Sequence, residues 1–413
     1  MIFDRHHPSI YAPFEAAEFG SIHLPDKLSF ISEEMDKSSE PVFIYSKCIV
    51  EQRIALLRKI LPVEIGIHYA VKSNPYAPLL SFIAPLVDGF DIASGGELRR
   101  LIAAELADQH VSFAGPGKSE EEISLALDHG VVLIAESSYQ LATINRLAAF
   151  KEMQAPVMVR INDHQQVSGT GLSMSGATSF FGIDKDEFSA IVPVWTARFP
   201  HLSFTGLHLF HGSQNLNLEA LQASLMQTAD LISNIDVPNK PEIINIGGGL
   251  GIPYAPKDRP LDVGRLKDAY ARVVDSIRTR FGYVKICTEL GRFISGPAGL
   301  YVCRVLDKKS TAGNTFIVTN GGLHHFSAAT GNFGQVLKKN HPIWPLHPNL
   351  DAPDQSVTIS GRLCTPIDVF AKGVTLPLLE IGDALVFFQA GAYGPTASPR
   401  EFLSHPGCRE ILA

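Results

Sequence analysis

Three groups of residues in this chain could do chemistry together. Lys72 closes the apolar stretch HYAVKSNP (His68–Pro75). Held partly out of water, such an amine has a lowered pKa and serves as a neutral nucleophile toward a carbonyl carbon. A surface lysine at a loop start would look the same. Gly247-Gly248-Gly249 follow the apolar run EIINI. Consecutive glycines let backbone N–H groups approach an anion closely, although a flexible turn uses them too. Glu289 and Arg292 share the segment TELGR. The guanidinium would add to a phosphate site, and the carboxylate is either a working acid or half of a buried ion pair.

An amine, a phosphate cradle and a carboxylate are what a phosphorylated aldehyde cofactor needs. Pyridoxal 5'-phosphate uses a Schiff-base lysine, a phosphate site and a partner for its ring nitrogen, whereas a Schiff-base aldolase uses only the first two. A carboxylate at that nitrogen keeps the ring protonated and strengthens it as an electron sink. An arginine there would weaken the sink and suit racemisation. Glu289 therefore points toward decarboxylation.

The elements that must position these groups recur along the chain. Short β-rich segments begin near Ile67, Gly89, Val111 and Leu133, about 22 residues apart and so close to one strand-plus-helix unit. The series continues at Val157, Phe204, Glu242 and Lys285, giving eight strands. Between them lie helical patterns. Gly95–Leu106 places Leu98, Leu101 and Ile102 on one face, and Lys118–Gly130 has a Ser cap, an acidic first turn and a closing Gly. Eight βα units predict an α/β fold, a (β/α)8 TIM barrel, whose chemistry collects at the C-terminal strand ends and whose phosphate site follows strands 7 and 8. An open doubly wound sheet is the alternative, weakened because the first βα turns lack GxGxxG.

After about Pro297 the strands LYVCRVLDKK, NTFIVTNGG, VTISGRL and ALVFFQAGAYG follow without helices between them, which predicts a β domain. The expected division is 1–42 as a segment joining the β domain, 43–296 as the barrel and 297–413 as the C-terminal β domain. Lys338–Ser356, with four prolines, reads as an irregular loop.

Bulk properties exclude several classes. The 413 residues are 45% hydrophobic and 19% charged, with a formal charge of −7, so a disordered chain or a nucleic-acid or anionic-membrane binder is not expected. The N-terminus, MIFDRHHPSIYAPFEAAEF, has no basic segment followed by an apolar run, and no apolar stretch approaches the roughly 20 residues that span a bilayer. The five cysteines (Cys48, Cys287, Cys303, Cys364, Cys408) form no CxxC pair, and a reduced, cytoplasmic protein is expected.

The ordered motifs YAVKSNP, FDIASGGEL, GLHLFHGSQ, INIGGGLGIPY, ELGRF, GRLCTPIDVF and GAYG run from Tyr69 to Gly394. With them the chain resembles the fold-type III pyridoxal-phosphate decarboxylases, the group of diaminopimelate, ornithine and arginine decarboxylases. That resemblance implies an alanine-racemase-like barrel with a C-terminal β-barrel domain built from both chain ends. It also implies a homodimer with active sites shared between subunits. It makes Lys72 the Schiff-base lysine and Glu289 the ring-nitrogen partner. Gly247, Gly248, Gly249 and Arg292 fall to the phosphate side of the cofactor site, with Asp91, Phe210, Ser213 and Tyr393 at cofactor-binding positions. Cys364 is similar to the cysteine that reprotonates the carbanion in the neighbouring subunit. Thr365, Asp368 and His211 fall at substrate-binding positions. ELGRFISGPAGLYVCRVLDKK, NGGLHHF, ATGNFGQV and ASPREFLSHP look like the subgroup associated with exosortase and exopolysaccharide loci. Related subgroups act on siderophore intermediates or on aminoacyl groups tethered to acyl carrier proteins, so a carrier protein is a candidate partner.

The chain departs from the family pattern in three places. Phe210 stands where diaminopimelate and ornithine decarboxylases have a histidine that stacks on the cofactor. Phe210 keeps the π face but cannot donate a hydrogen bond, and His208 or His211 beside it is a candidate substitute. Thr365 replaces an acid that often binds the substrate's distal amine, which removes a charge-assisted bond to an ammonium. Asn320 replaces an Asp at the expected site mouth. Metal binding by His208, His211, His324 and His325 is not expected, since the chemistry needs none. The expected reaction is decarboxylation of a small-molecule amino acid or derivative with an acylated, carboxylated or tethered distal end. The alternatives are meso-diaminopimelate decarboxylation, racemisation and a non-catalytic cofactor carrier.

Overall fold

The structure is a computed structural model that describes residues 25–163, 172–173, 179–255, 258–331 and 339–413. The first 24 residues of the expected N-terminal segment, and Lys338 of the expected loop, lie outside the described residues. Two compact units are present. One takes the described residues up to Arg53, those of Ile252–Pro260, and Arg292–Ala413; the other takes Ile54–Gly251 and Leu261–Gly291.

The second of these units is the barrel. Numbering strands along the chain, β1 is Val42–Tyr45, and the barrel strands are β2 (Ile65–Ala70), β3 (Gly89–Ile92), β4 (Val111–Phe113), β5 (Val132–Ala135), β6 (Ala155–Asn162), β7 (Leu202–His208), β8 (Ile243–Gly248) and β9 (Lys285–Leu290). They pair in parallel in the order β5-β4-β3-β2-β9-β8-β7-β6, and β5 pairs with β6 to close the ring. All eight expected strands are therefore present. Their sequences are near-continuous apolar runs because strands of a parallel barrel are covered on both faces.

Helix ends follow the cap chemistry. Ser119 and Glu122 form a reciprocal capping box at the helix Glu120–Asp128, which Gly130 follows at φ +64°. Ser94 caps Gly95–Ala103 by accepting from the Glu97 N–H. Leu98 and Leu101 of that helix are fully buried, but it stops at Ala103, and Ile102 is only half-buried.

The other unit is an eight-strand mixed sheet. Its β1 pairs antiparallel with β10 (Gly299–Thr311) and parallel with the last strand, Arg409–Leu412. Residues from both chain ends thus share one sheet, and its boundary falls at Arg53 rather than at 42. The pairing needs three segments remote in sequence, so no local pattern marks it. The proline-rich stretch holds a short strand, Ile343–Pro345, and its last residues open the strand Asp354–Ser360. Proline survives there at the end of a strand. Val369–Pro377 is a further strand that the sequence pattern missed; its alternation is broken by Gly373, at φ +59°. Among the described residues no helix is long and apolar enough to cross a membrane.

Candidate active site

Strand β2 stops at Ala70, two residues before Lys72, and Val71–Ser73 makes a single 3-10 turn. The Ser73 hydroxyl lies 2.9 Å from Ala70 O and 3.0 Å from the Tyr69 hydroxyl, and the Tyr76 N–H donates to Asn74 Oδ1 at 3.1 Å. The polar residues after Lys72 thus pin the turn. Lys72 Nζ stands 5.7 Å from the Phe210 ring centroid. Phe210 also lies 5.6 Å from the Arg160 guanidinium, and its ring is near-parallel to that of His208 at 6.4 Å. The structure therefore brings the phenyl group that departs from the family pattern beside the lysine.

Parallel register sets the level of the acid. Glu289 on β9 is aligned with His68 on β2 and Gly248 on β8, and Asn245 on β8 is aligned with His208 on β7. His208 Nε2 lies 2.6 Å from Glu289 Oε1, and Asn245 Nδ2 donates to the same oxygen at 2.7 Å. Burial alone would favour the neutral acid. The His208 imidazole outweighs that, with Lys72 and Arg160 adding to it, and holds Glu289 well below the usual carboxylate range. Asp91 shows the opposite: burial first, then the Glu289 charge, push its carboxyl well above that range, and its Oδ1 accepts from the Ser112 hydroxyl at 3.1 Å. Two acids near one lysine are thus driven apart in protonation state.

Gly247 and Gly249 have φ of +68° and +108°, conformations that favour glycine. A Cβ on Gly248 would sit 1.9 Å from Glu289 O, and one on Gly249 would sit 2.7 Å from Gly212 O. The loop is also pinned from within, since the Gly247 N–H donates to Asn245 Oδ1 at 2.9 Å and the Thr288 hydroxyl to Gly247 O at 2.6 Å. Ser213 lies next to Gly212, opposite that loop. His211 reaches Thr228 Oγ1 through Nε2 at 3.0 Å, a tie to the helix Leu218–Asn234.

In the other unit, Arg292 opens the short helix that follows Gly291. Its Nη1 donates to the Tyr254 hydroxyl at 2.8 Å, and its guanidinium lies 4.4 Å from the Tyr393 ring centroid. Tyr393 has φ +55°, a strained value for a bulky residue that marks functional positions. Cys364 is exposed, on the loop from Gly361 to Asp368. Asp368 is 1% exposed and accepts the N–H groups of Leu363 at 2.9 Å and Leu323 at 2.7 Å. Its carboxylate shapes the loop that presents Cys364. Thr365 lines a groove of about 540 Å³ with Lys309, Arg362, Phe316 and Thr358.

Asn320 is buried as well: Oδ1 accepts the Arg304 N–H at 2.7 Å and Nδ2 donates to Ser39 O at 2.6 Å. An Asp could not make the second bond, so the amide is needed for this packing. Among the described residues no His, Cys, Asp or Glu group could hold a metal. Sequence reasoning missed Asn245, Tyr254 and Arg160, and left His208 without a partner. The only signal for Asn245 was a polar residue inside the apolar run of β8.

The family model for the pyridoxal-binding domain of pyridoxal-dependent decarboxylases matches residues 48–296. The chain belongs to the pyridoxal-dependent decarboxylases. This decarboxylase is 33% identical to the L-glutamyl-[BtrI acyl-carrier protein] decarboxylase of Niallia circulans, over 90% of this chain and 88% of that protein. It is 30% identical to the 2-[(L-alanin-3-ylcarbamoyl)methyl]-2-hydroxybutanedioate decarboxylase of Staphylococcus aureus, over 91% and 95%. The crystal structure of diaminopimelate decarboxylase from Helicobacter pylori complexed with L-lysine superposes with a TM-score of 0.79 at 25% identity, covering 93% of this chain and 94% of that one.

The decarboxylase uses pyridoxal phosphate, and its residues fit that cofactor. Glu289 keeps Oε2 free of hydrogen bonds from described groups, while both donors crowd Oε1. The glycine loop leaves no room for a Cβ at Gly248.

Proposed function

We propose that this enzyme removes the α-carboxylate of an amino acid whose distal end is acylated, carboxylated or tethered to a carrier, and not a free ammonium. One observation carries the reading. Among the described residues that line the groove beside Cys364 there is a single acid, Asp368, and each of its oxygens already accepts a backbone N–H. Thr365, Lys309 and Arg362 line the same groove, so it offers hydroxyl and cationic groups to whatever enters. An ammonium would meet only that one acid, whose two oxygens already accept N–H groups, whereas a carboxylate, a phosphodiester or an amide would meet several donors. Two relatives whose names specify a glutamyl-carrier and a carbamoyl-linked substrate support this direction.

Pyridoxal phosphate supplies the electron sink that makes loss of carbon dioxide feasible. The chain's own residues would do the rest. Lys72 Nζ would hold the cofactor's aldehyde carbon, and the Glu289 carboxylate would pair with its ring nitrogen. Gly247–Gly249 fall at the phosphate positions that the resemblance implies, as does Arg292, and Phe210 would cover a ring face. Cys364, contributed by the second subunit of a homodimer, would serve as the general acid that holds a proton for the substrate's Cα.

The test is carbon dioxide release by the cofactor-loaded protein, with Lys72→Ala as the blank. The panel is meso-diaminopimelate, ornithine and lysine against an N-acylated diamino acid and a glutamyl group on a carrier protein. Turnover confined to the second group supports the reading. Strong turnover of free diamines overturns it, and strong turnover of meso-diaminopimelate alone makes this a lysine-pathway decarboxylase.

A further inference from the structure

Glu289 is held in a way that a simple buried ion pair would not require. His208 and Asn245 approach it from two different strands, and both reach the same oxygen, Oε1, at 2.6 and 2.7 Å. Oε2 accepts from no described group. All three side chains are buried, with Asn245 and His208 at 0% and 1% exposure. The aligned register of Asn245 and His208 places the two donors side by side on β8 and β7.

We propose that His208 and Asn245 are positioning residues that saturate Oε1 of Glu289, so that Oε2 is left as a fixed, charged acceptor for the cofactor's ring nitrogen. The inference rests on the cofactor reading above. A buried carboxylate without donors would take up a proton and then offer an O–H where the ring needs an acceptor. Toward an ionised carboxylate the His208 Nε2 must donate. Its Nδ1 is buried with no hydrogen-bond partner, so nothing on the opposite side of the ring competes for that orientation. Asn245 is tied in turn, because its Oδ1 accepts the Gly247 N–H at 2.9 Å. The amide therefore links the ring-nitrogen partner to the glycine loop, and both ends of the cofactor would be registered by one side chain.

A merely structural role predicts lost stability and nothing specific at the ring. The experiment uses protein loaded with pyridoxal phosphate labelled with nitrogen-15 in the ring and reads the ring-nitrogen resonance, with Glu289→Gln as the reference for a ring that has lost its acceptor. In His208→Phe and in Asn245→Ala the resonance is expected to move from the protonated position toward the Glu289→Gln position. His208→Gln keeps a donor and should stay near wild type. kcat should fall by about tenfold or more in His208→Phe while KM changes little, since the loss lies in the sink and not in substrate binding. Circular dichroism selects the folded variants. A folded His208→Phe or Asn245→Ala whose resonance stays at the wild-type position overturns the role of that residue. Failure of the wild-type protein to take up the cofactor would instead overturn the cofactor reading.

Discussion

The Arg292 guanidinium donates to the Tyr254 hydroxyl at 2.8 Å, and both side chains are buried. Burial alone would weaken the positive charge, but the neighbouring hydroxyls of Tyr254 and Tyr393 more than offset it. Arg292 is thus held in a fixed orientation by buried hydroxyls. Tyr254→Phe should cost about 0.5–1.5 kcal/mol of stability and raise the Kd for pyridoxal phosphate by roughly tenfold. Urea denaturation and a fluorescence titration with the cofactor measure the two effects. An unchanged Kd would remove Arg292 from the phosphate site.

Gly248→Ala tests the crowding at the glycine loop. The new Cβ would lie 1.9 Å from the Glu289 carbonyl, inside the β8–β9 pairing. The strands must separate, at a cost of about 1–3 kcal/mol or more. Cofactor binding should be lost in whatever fraction folds. A thermal melt and the absorbance of bound cofactor check this, and a variant that keeps both would show that the loop has slack.

Cys364 is exposed, and its removal should leave the fold intact. Cys364→Ala is expected to stay within about 0.5 kcal/mol of wild type and to retain the cofactor. Its turnover should fall by at least about tenfold as a general acid is removed. Steady-state kinetics beside a urea titration separates these effects. Full activity would exclude the thiol as proton donor.

Stability should also depend on pH through His68. Burial first, then the nearby His110, push its pKa down to about 4. The unfolded value is about 6.5. A depressed folded value means that the folded state favours the neutral ring. Its contribution is therefore fully present above about pH 6.5 and is lost as the pH falls through about 4, on the order of 3 kcal/mol in all. Urea midpoints between pH 7 and pH 4 should fall less steeply for His68→Gln than for wild type. Parallel curves would contradict the assignment.

The barrel was legible because each strand-plus-helix unit is local: apolar strand, turn, cap and amphipathic helix are all written within one period. Lys72, Gly247–Gly249, Glu289 and Arg292 stood out in the sequence for a related reason, since each lies at or just past the end of such a strand. The His208–Glu289–Asn245 cluster was not. It depends on register among three strands, and sequence spacing carries no information about which side chains end up level. The fates of Asp368 and Asn320 were hidden in the same way. Both have polar side chains in loop-like sequence, but their partners, Leu323 and Ser39, are set by long-range folding. The β-sheet unit was half legible, because β1 and its neighbour Arg409–Leu412 lie far apart in the sequence.

The central claim is that this decarboxylase takes a substrate without a free distal ammonium. Its most direct test is carbon dioxide release from meso-diaminopimelate by cofactor-loaded protein, run beside a glutamyl group on a carrier protein and an N-acylated diamino acid, with Lys72→Ala as the blank. The account predicts no release above the blank from meso-diaminopimelate and sustained release from at least one of the modified substrates. Robust release from meso-diaminopimelate, with none from the modified pair, would contradict it.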